Sequence, residues 1–140
     1  MKILIPMAGE GSRFSTKGYK FPKPLVDVAG KPMIQRVVEN LNFDAEFIFL
    51  VRKKHLQEYE GLSNTLKIIS KNNCKIVEVD SLTEGAACTA LLAEKYINCD
   101  DDVLIANSDQ IIEYEIENFK TLKNLTSVDG IVFTFKATHP

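Results

Sequence analysis

The residues best suited to chemistry in this chain are Arg13 and Lys23, set in the neighbouring segments IPMAGEGSRF (Ile5 to Phe14) and FPKPLVDVAGKPMI (Phe21 to Ile34). Arginine offers a planar fork to phosphate oxygens and lysine a point charge, so the two together can hold a triphosphate and offset charge moving onto its leaving group. Gly9 and Gly11 leave backbone amides open to the approach of a polyanion. From Gly11 to Val26 the charged residues are Arg13, Lys17, Lys20 and Lys23, with no acid among them. Pro22 and Pro24 flank Lys23 and restrict its backbone, which lowers the entropy lost in aiming it.

A second constellation is VLIANSDQ, Val103 to Gln110, where an apolar run leads directly into Asn107, Ser108 and Asp109. A carboxylate at the carboxyl end of a strand is well placed to bind Mg²⁺. A third is LTEGAACTALLAEKY, Leu82 to Tyr96, where Gly85, Ala86 and Ala87 open a helix and small residues would let a base or ribose lie close to the backbone; tight helix packing would look the same. The Gly9-Glu10-Gly11 loop fits neither of two common nucleotide loops. The dinucleotide fingerprint wants a third glycine where Phe14 stands and an acid after the second strand, where the chain has Arg52, Lys53 and Lys54. The P-loop wants Gly-Lys-Ser/Thr, but Ser12 and Arg13 follow Gly11.

Positioning these groups falls to strand-like runs at Ile3 to Ile5, Phe47 to Val51, Lys75 to Val79, Val103 to Ala106 and Ile131 to Phe135. They alternate with helical or loop segments, which predicts an α/β fold with a doubly wound, mainly parallel sheet and helices on both faces. Pro32 stands at a first helical position, and Met33, Ile34, Val37, Val38 and Leu41 follow at helical spacing with Gln35, Arg36 and Glu39 outward. A weaker helix is predicted over His55 to Leu66, broken near Gly61, and Ser81 with Glu84 form a capping box for a helix reaching about Tyr96. In a 3-2-1-4 strand order the order reverses between the first and fourth strands, where open α/β sheets bind ligands. The glycine loop follows the first strand and Asp109 ends the fourth, so topology alone brings them to one crevice. No repeat or linker divides the chain, and residues 1–140 are expected to be a single nucleotide-binding domain.

At 140 residues and net charge −2, the chain can bury one core and lacks the overall field that holds duplex nucleic acid or anionic lipid. Cys74, Cys88 and Cys99 are odd in number and without metal-type spacing, which fits reduced thiols and a cytoplasmic protein. The run Asp100 to Asp102 precedes its strand and reads as a solvated turn, and His55 and His139 read as surface residues.

Taken together, Ala8 to Arg13, Pro22 to Leu25 and Gly30 to Ile34 resemble the signature A-G-x-G-S/T-R, P-K-P-L, G-K-P-M-I of the sugar-1-phosphate nucleotidyltransferases, the nucleoside-diphosphate-sugar pyrophosphorylases. Gly85 matches the glycine packed near the base and Asp109 the metal-binding aspartate of that family. The resemblance spans nearly the whole chain; similar bacterial proteins of capsule and surface-polysaccharide synthesis are among the close relatives it implies, with phosphocholine-type cytidylyltransferases as cousins. It implies a Rossmann-like sheet of the nucleotide-diphospho-sugar transferase type. It also implies catalytic roles for Arg13, Lys23 and Asp109, with Mg²⁺ on Asp109. Nucleotide contacts are implied at Met7, Ala8, Gly9, Glu10, Gly11, Ser12, Arg13, Lys23, Asp80, Glu84, Gly85, Ala86 and Asn107. The expected partners are a nucleoside triphosphate and a sugar 1-phosphate or other phosphomonoester, with no nucleic acid and no membrane; a homo-oligomer is compatible. Family members run on beyond this length, so a second metal-binding aspartate and the sugar pocket are unassigned, and an apparently truncated domain that binds nucleotide without efficient turnover is expected if the polypeptide is complete. A glycosyltransferase, which usually shows an acid-x-acid pair where Ser108-Asp109-Gln110 stands, and a non-catalytic nucleotide-binding module are the rival classes.

Overall fold

The computed structural model describes residues 1–9, 21–134 and 136. Four parallel strands form the main sheet: β1 (Lys2–Met7), β4 (Glu46–Arg52), β5 (Cys74–Val79) and β6 (Val103–Ile105), in the order β5-β4-β1-β6. This is the expected 3-2-1-4 arrangement. Period-two burial divides its two faces. Ile3, Ile5, Met7, Phe47, Phe49 and Val51 face helices α1 (Met33–Leu41) and α3 (Leu62–Ile69), which contribute Ile34, Val37, Val38, Leu41, Leu62 and Leu66. Leu4, Ile48, Leu50 and Val79 face α4 (Ala86–Leu91), with Ala90 and Ala93 above them. The central strands are apolar on both sides because both faces are covered. Short α2 (Lys53–Glu58) and α3 are separated at Tyr59 to Gly61, as the break near Gly61 predicts.

Pro6 limits how far β1 can pair with β6. Lys2 N donates to Asp102 O at 2.8 Å and Leu4 O accepts from Ala106 N at 3.0 Å, so the even-numbered residues of β1 face β6. The next donor in that series is Pro6, which has no N–H. The β1–β6 ladder ends at Leu4↔Ile105, whereas the β1–β4 ladder continues through Pro6↔Leu50 to Met7↔Val51. The strands therefore part at their carboxyl ends, on the side where β6 runs out towards Asp109.

Three local expectations are corrected. Pro32 closes the two-stranded hairpin of β2 (Asp27–Val28) and β3 (Lys31–Pro32) and precedes α1 rather than opening it. The Ser81/Glu84 capping box does not form: α4 starts at Ala86 behind an extended Gly85 with no side-chain cap, and a break at Leu92 and Ala93 separates it from α5 (Glu94–Ile97). Residues 131–134 form no strand. Phe133 instead packs 5.5 Å from both Tyr114 and Phe119, the latter on α6 (Ile116–Lys123), and beside an apolar cavity of about 440 Å³. Aromatic packing there replaces a ladder on β6.

Candidate functional site

Met7 ends β1 and Ala8 follows it, both almost fully buried at 4% and 5% exposure, and the chain emerges into solvent at Gly9. Glu10, Gly11, Ser12 and Arg13 lie outside the described residues, as do Lys17 and Lys20. The chain returns at Phe21 and makes a tight 3₁₀ turn over Lys23–Leu25. Pro22, at φ −60° and ψ 148°, sets the entry, and its carbonyl accepts from Leu25 N at 2.8 Å. Lys23 O accepts from Val26 N at 3.2 Å, Pro24 is buried, and Leu25 packs against the core. Lys23 is thereby fixed at its backbone on both sides while its side chain remains about a third exposed.

The Lys23 ammonium ion-pairs with Asp109 Oδ2, joining the segments that follow β1 and β6. The two residues are 86 positions apart in sequence, and the fold brings them together as the strand order requires. Asp109 follows β6 by way of Asn107, whose amide donates to Gln110 Oε1 at 2.8 Å, so that side chain is engaged in holding the turn. Asp109 and Lys23 form the polar centre of the described site.

Asp80 and Glu84 stand beyond β5, two strands from β1 on the flank opposite β6, and both are exposed. The width from β5 to β6 is three strand intervals, roughly 14 Å, comparable with an extended nucleotide. Asp80 lies 3.6 Å from the Lys53 ammonium, one of three basic residues that end β4 and begin α2. Gly85 and Ala86 are exposed, and a Cβ on Gly85 would meet nothing within 4 Å. The Gly85 carbonyl accepts from the hydroxyls of Thr83 and Thr89, both at 3.1 Å, which fixes the loop against α4. His55, expected at the surface, is partly buried beside the Tyr59 ring, and burial first, then the Arg52 charge, lowers its pKa.

A Mg²⁺ ion needs one or two carboxylates completed by substrate phosphates and water, rather than a cage of side chains. Among the described residues no group of three or more His, Cys, Asp or Glu is arranged to hold a metal. The carboxylate of Asp109, partly exposed and paired with the Lys23 ammonium, is chemically compatible with that more economical scheme.

A parallel doubly wound sheet whose order reverses beside a lysine and a carboxylate defines an α/β domain of the class that places ligands in the crevice beyond the carboxyl ends of its strands. Comparison with known proteins gives the family: residues 2–139 match the family described as nucleotidyl transferase, and the chain belongs to it. The sequence resemblance to sugar-1-phosphate nucleotidyltransferases is borne out. The chain is 28% identical over 134 residues to the bifunctional protein GlmU of Methanocaldococcus jannaschii, covering 94% of this chain and 30% of that protein. It is 32% identical over 151 residues to a mannose-1-phosphate guanyltransferase of Candida albicans, covering 99% of this chain and 38% of that one. Among solved structures it superimposes on a nucleoside-diphosphate-sugar pyrophosphorylase from Vibrio cholerae RC9 with TM-score 0.65 and 23% identity, covering 84% and 52% of the two chains. HddC from Yersinia pseudotuberculosis, complexed with GMP-PN, gives TM-score 0.64 at 24% identity, covering 91% and 54%. The chain thus spans about a third of these curated relatives and about half of the structural neighbours. No helix among the described residues is long and apolar enough to cross a membrane.

The sequence pointed to Lys23 and Asp109 but missed two residues on α1 that touch the segments carrying them. Arg36 binds the β2–β3 turn and Asn40 binds the backbone of Ile112. The available signal was their i, i+4 spacing on the polar flank of an amphipathic helix.

Proposed function

We propose that this chain is the nucleotide-activating part of a Mg²⁺-dependent enzyme that transfers a nucleoside monophosphate from a triphosphate to a sugar 1-phosphate. The observation that carries the proposal is the Lys23–Asp109 ion pair at the strand-order reversal. An oxygen of the sugar phosphate forms a bond to the α-phosphorus in line with the bond that breaks to the β-phosphate, and pyrophosphate leaves. Such chemistry requires positioning and charge stabilisation rather than a covalent enzyme intermediate.

Lys23 is poised to exchange partners, leaving Asp109 for phosphate oxygens near the reacting centre. Arg13 would steady the departing pyrophosphate, and the amides of Gly9 and Gly11 would hold its oxygens. Asp109 would hold Mg²⁺, which when bound withdraws charge from the phosphates and lowers the barrier to attack. The base would lie between Ala8 and the Asp80 to Gly85 segment, with Met7, Glu10, Ser12, Ala86 and Asn107 lining the rest of the nucleotide. The nucleoside-diphosphate sugar formed is a donor of the kind used in capsule or surface-polysaccharide assembly, in the cytoplasm.

Calorimetric titration with ATP, CTP, GTP, TTP and UTP in Mg²⁺ tests the binding half of the proposal and identifies the base. Incubation with the preferred triphosphate and a panel of sugar 1-phosphates, and with phosphocholine as the alternative acceptor, tests transfer through pyrophosphate release. Binding of none of the triphosphates would refute the proposal. Transfer of the sugar from a nucleoside-diphosphate sugar to an acceptor hydroxyl, with the nucleoside diphosphate leaving and no pyrophosphate released, would favour a glycosyltransferase.

A further inference from the structure

We infer that Arg36 and Asn40 are positioning residues, through which α1 sets the separation and aim of the Lys23–Asp109 pair. The ligand assay below rests on the proposed nucleotidyl transfer; the geometry and the unfolding assay do not. Arg36 and Asn40 are four residues apart on α1, so their side chains leave the helix one above the other on the same face.

Arg36 holds the Lys23 side. Its Nε donates to Val28 O at 3.1 Å and its Nη2 to Ala29 O at 2.6 Å, so one guanidinium grips two consecutive carbonyls of the β2–β3 hairpin. That hairpin is registered to the Lys23 turn, because Met33 N donates to Val26 O at 2.9 Å and Val26 N donates to Lys23 O. Asn40 holds the Asp109 side. Its Nδ2 donates to Ile112 O and its Oδ1 accepts from Ile112 N, both at 3.0 Å, a two-point pairing that copies one rung of a sheet ladder. Ile112 is three residues beyond Asp109, and the Tyr114 hydroxyl adds a tether to Leu41 O at 2.9 Å.

Ile34, Val37, Val38 and Leu41 bury the opposite side of α1 in the core, which makes the helix a rigid reference. Two segments distant in sequence are thus registered to one body by polar clamps a single turn apart. Both clamp side chains are partly exposed, so removing them takes away position rather than core packing. Displacements of about 1 Å far from reacting atoms can cost on the order of a hundredfold in rate.

The direct test is a double-mutant cycle. Lys23→Met and Asp109→Asn, singly and together, are compared by urea unfolding in the wild-type chain and in Asn40→Ala and Arg36→Met backgrounds. The Lys23–Asp109 coupling is expected to fall by at least half in either background. Coupling that persists unchanged in both overturns the inference. In parallel, affinity for the preferred triphosphate is measured calorimetrically in Mg²⁺. Asn40→Ala and Arg36→Met should each weaken it about tenfold, the equivalent of one well-placed hydrogen-bonded contact. Arg36→Lys, which can reach one carbonyl, should recover part of the loss. Ser70→Ala, which removes a buried hydroxyl bonded to Leu66 O at 2.7 Å, is the control expected to lower stability without changing affinity. If Ser70→Ala weakens affinity as much as the α1 variants, the effect is general destabilisation and the inference fails. Loss of coupling in a chain whose wild type binds no triphosphate supports the positioning role and refutes the nucleotidyl-transfer reading instead.

Discussion

Replacing Lys23 by methionine should move three quantities in different directions. The change keeps most of the apolar stem and removes the ammonium that Asp109 holds. The paired side chains are 30% and 27% exposed, between the surface limit, where such pairs contribute under 1 kcal/mol, and the buried limit, where breaking one costs several. A stability loss of about 1 kcal/mol is expected. The proposed catalytic role requires more, about 3 kcal/mol of transition-state stabilisation, or roughly a 150-fold fall in kcat/KM. Divalent-cation binding without nucleotide should change in the opposite sense. Removing a competitor worth about 1 kcal/mol from the Asp109 carboxylate should tighten it roughly fivefold. Mn²⁺ titration followed by electron paramagnetic resonance measures that gain directly, and pyrophosphate release with the preferred substrates measures the loss. Mn²⁺ binding that weakens or stays constant would refute the partner exchange. Unchanged turnover in an enzyme carrying Lys23→Met would refute the catalytic role.

The β2–β3 turn places Ala29 at φ +53° and Gly30 at φ +82°, the pair of positive angles that Asn-Gly adopts most readily. Ala29→Asn should therefore stabilise the protein by about 0.5 kcal/mol and Gly30→Ala destabilise it by about 1 kcal/mol, both read from chemical denaturation. Ile48 is completely buried on the α4 face, and Ile48→Ala should cost about 2–5 kcal/mol by the same measurement. Burial, assisted by Arg52, lowers the His55 pKa below its usual 6.5, so the unfolded chain takes up a proton more readily than the folded one. Stability is full above about pH 6.5 and declines as pH falls from there towards the folded value. His55→Gln should flatten the Tm profile over that interval, and an unaltered slope would show that other groups set it.

Much of the sheet was legible because its signals are local and redundant. Runs such as Phe47 to Val51 are too apolar to be anything but covered on both faces, and alternation with amphipathic segments leaves few alternatives to a parallel order. That order is what made Lys23 and Asp109 readable as neighbours. Legibility failed where a segment's partner decides its state. Ile131 to Phe133 have strand-like composition, but in this chain aromatic contacts with Tyr114 and Phe119 win over pairing on β6. Ser81 and Glu84 have cap spacing, yet the extended Gly85 moves the helix start and the Thr83 and Thr89 hydroxyls supply the local bonds. Arg36 could be placed on the outward side of its helix, but what it binds there depends on a hairpin turn whose position only the folded chain defines.

The short β1–β6 ladder also has a kinetic consequence. β1 and β4 share six residue pairs and β4 and β5 another six, each closing a modest loop, whereas β6 joins through only three pairs and must close about a hundred residues. Contacts of that separation are the slowest to be repaid during folding, and the fewest rungs make them the first to open afterwards. Asp109 follows that last strand by four residues. The ion pair therefore exists only in molecules that have completed the whole sheet, and amide exchange at Leu104 and Ala106 should report loss of the site before the β1–β4–β5 core begins to unfold.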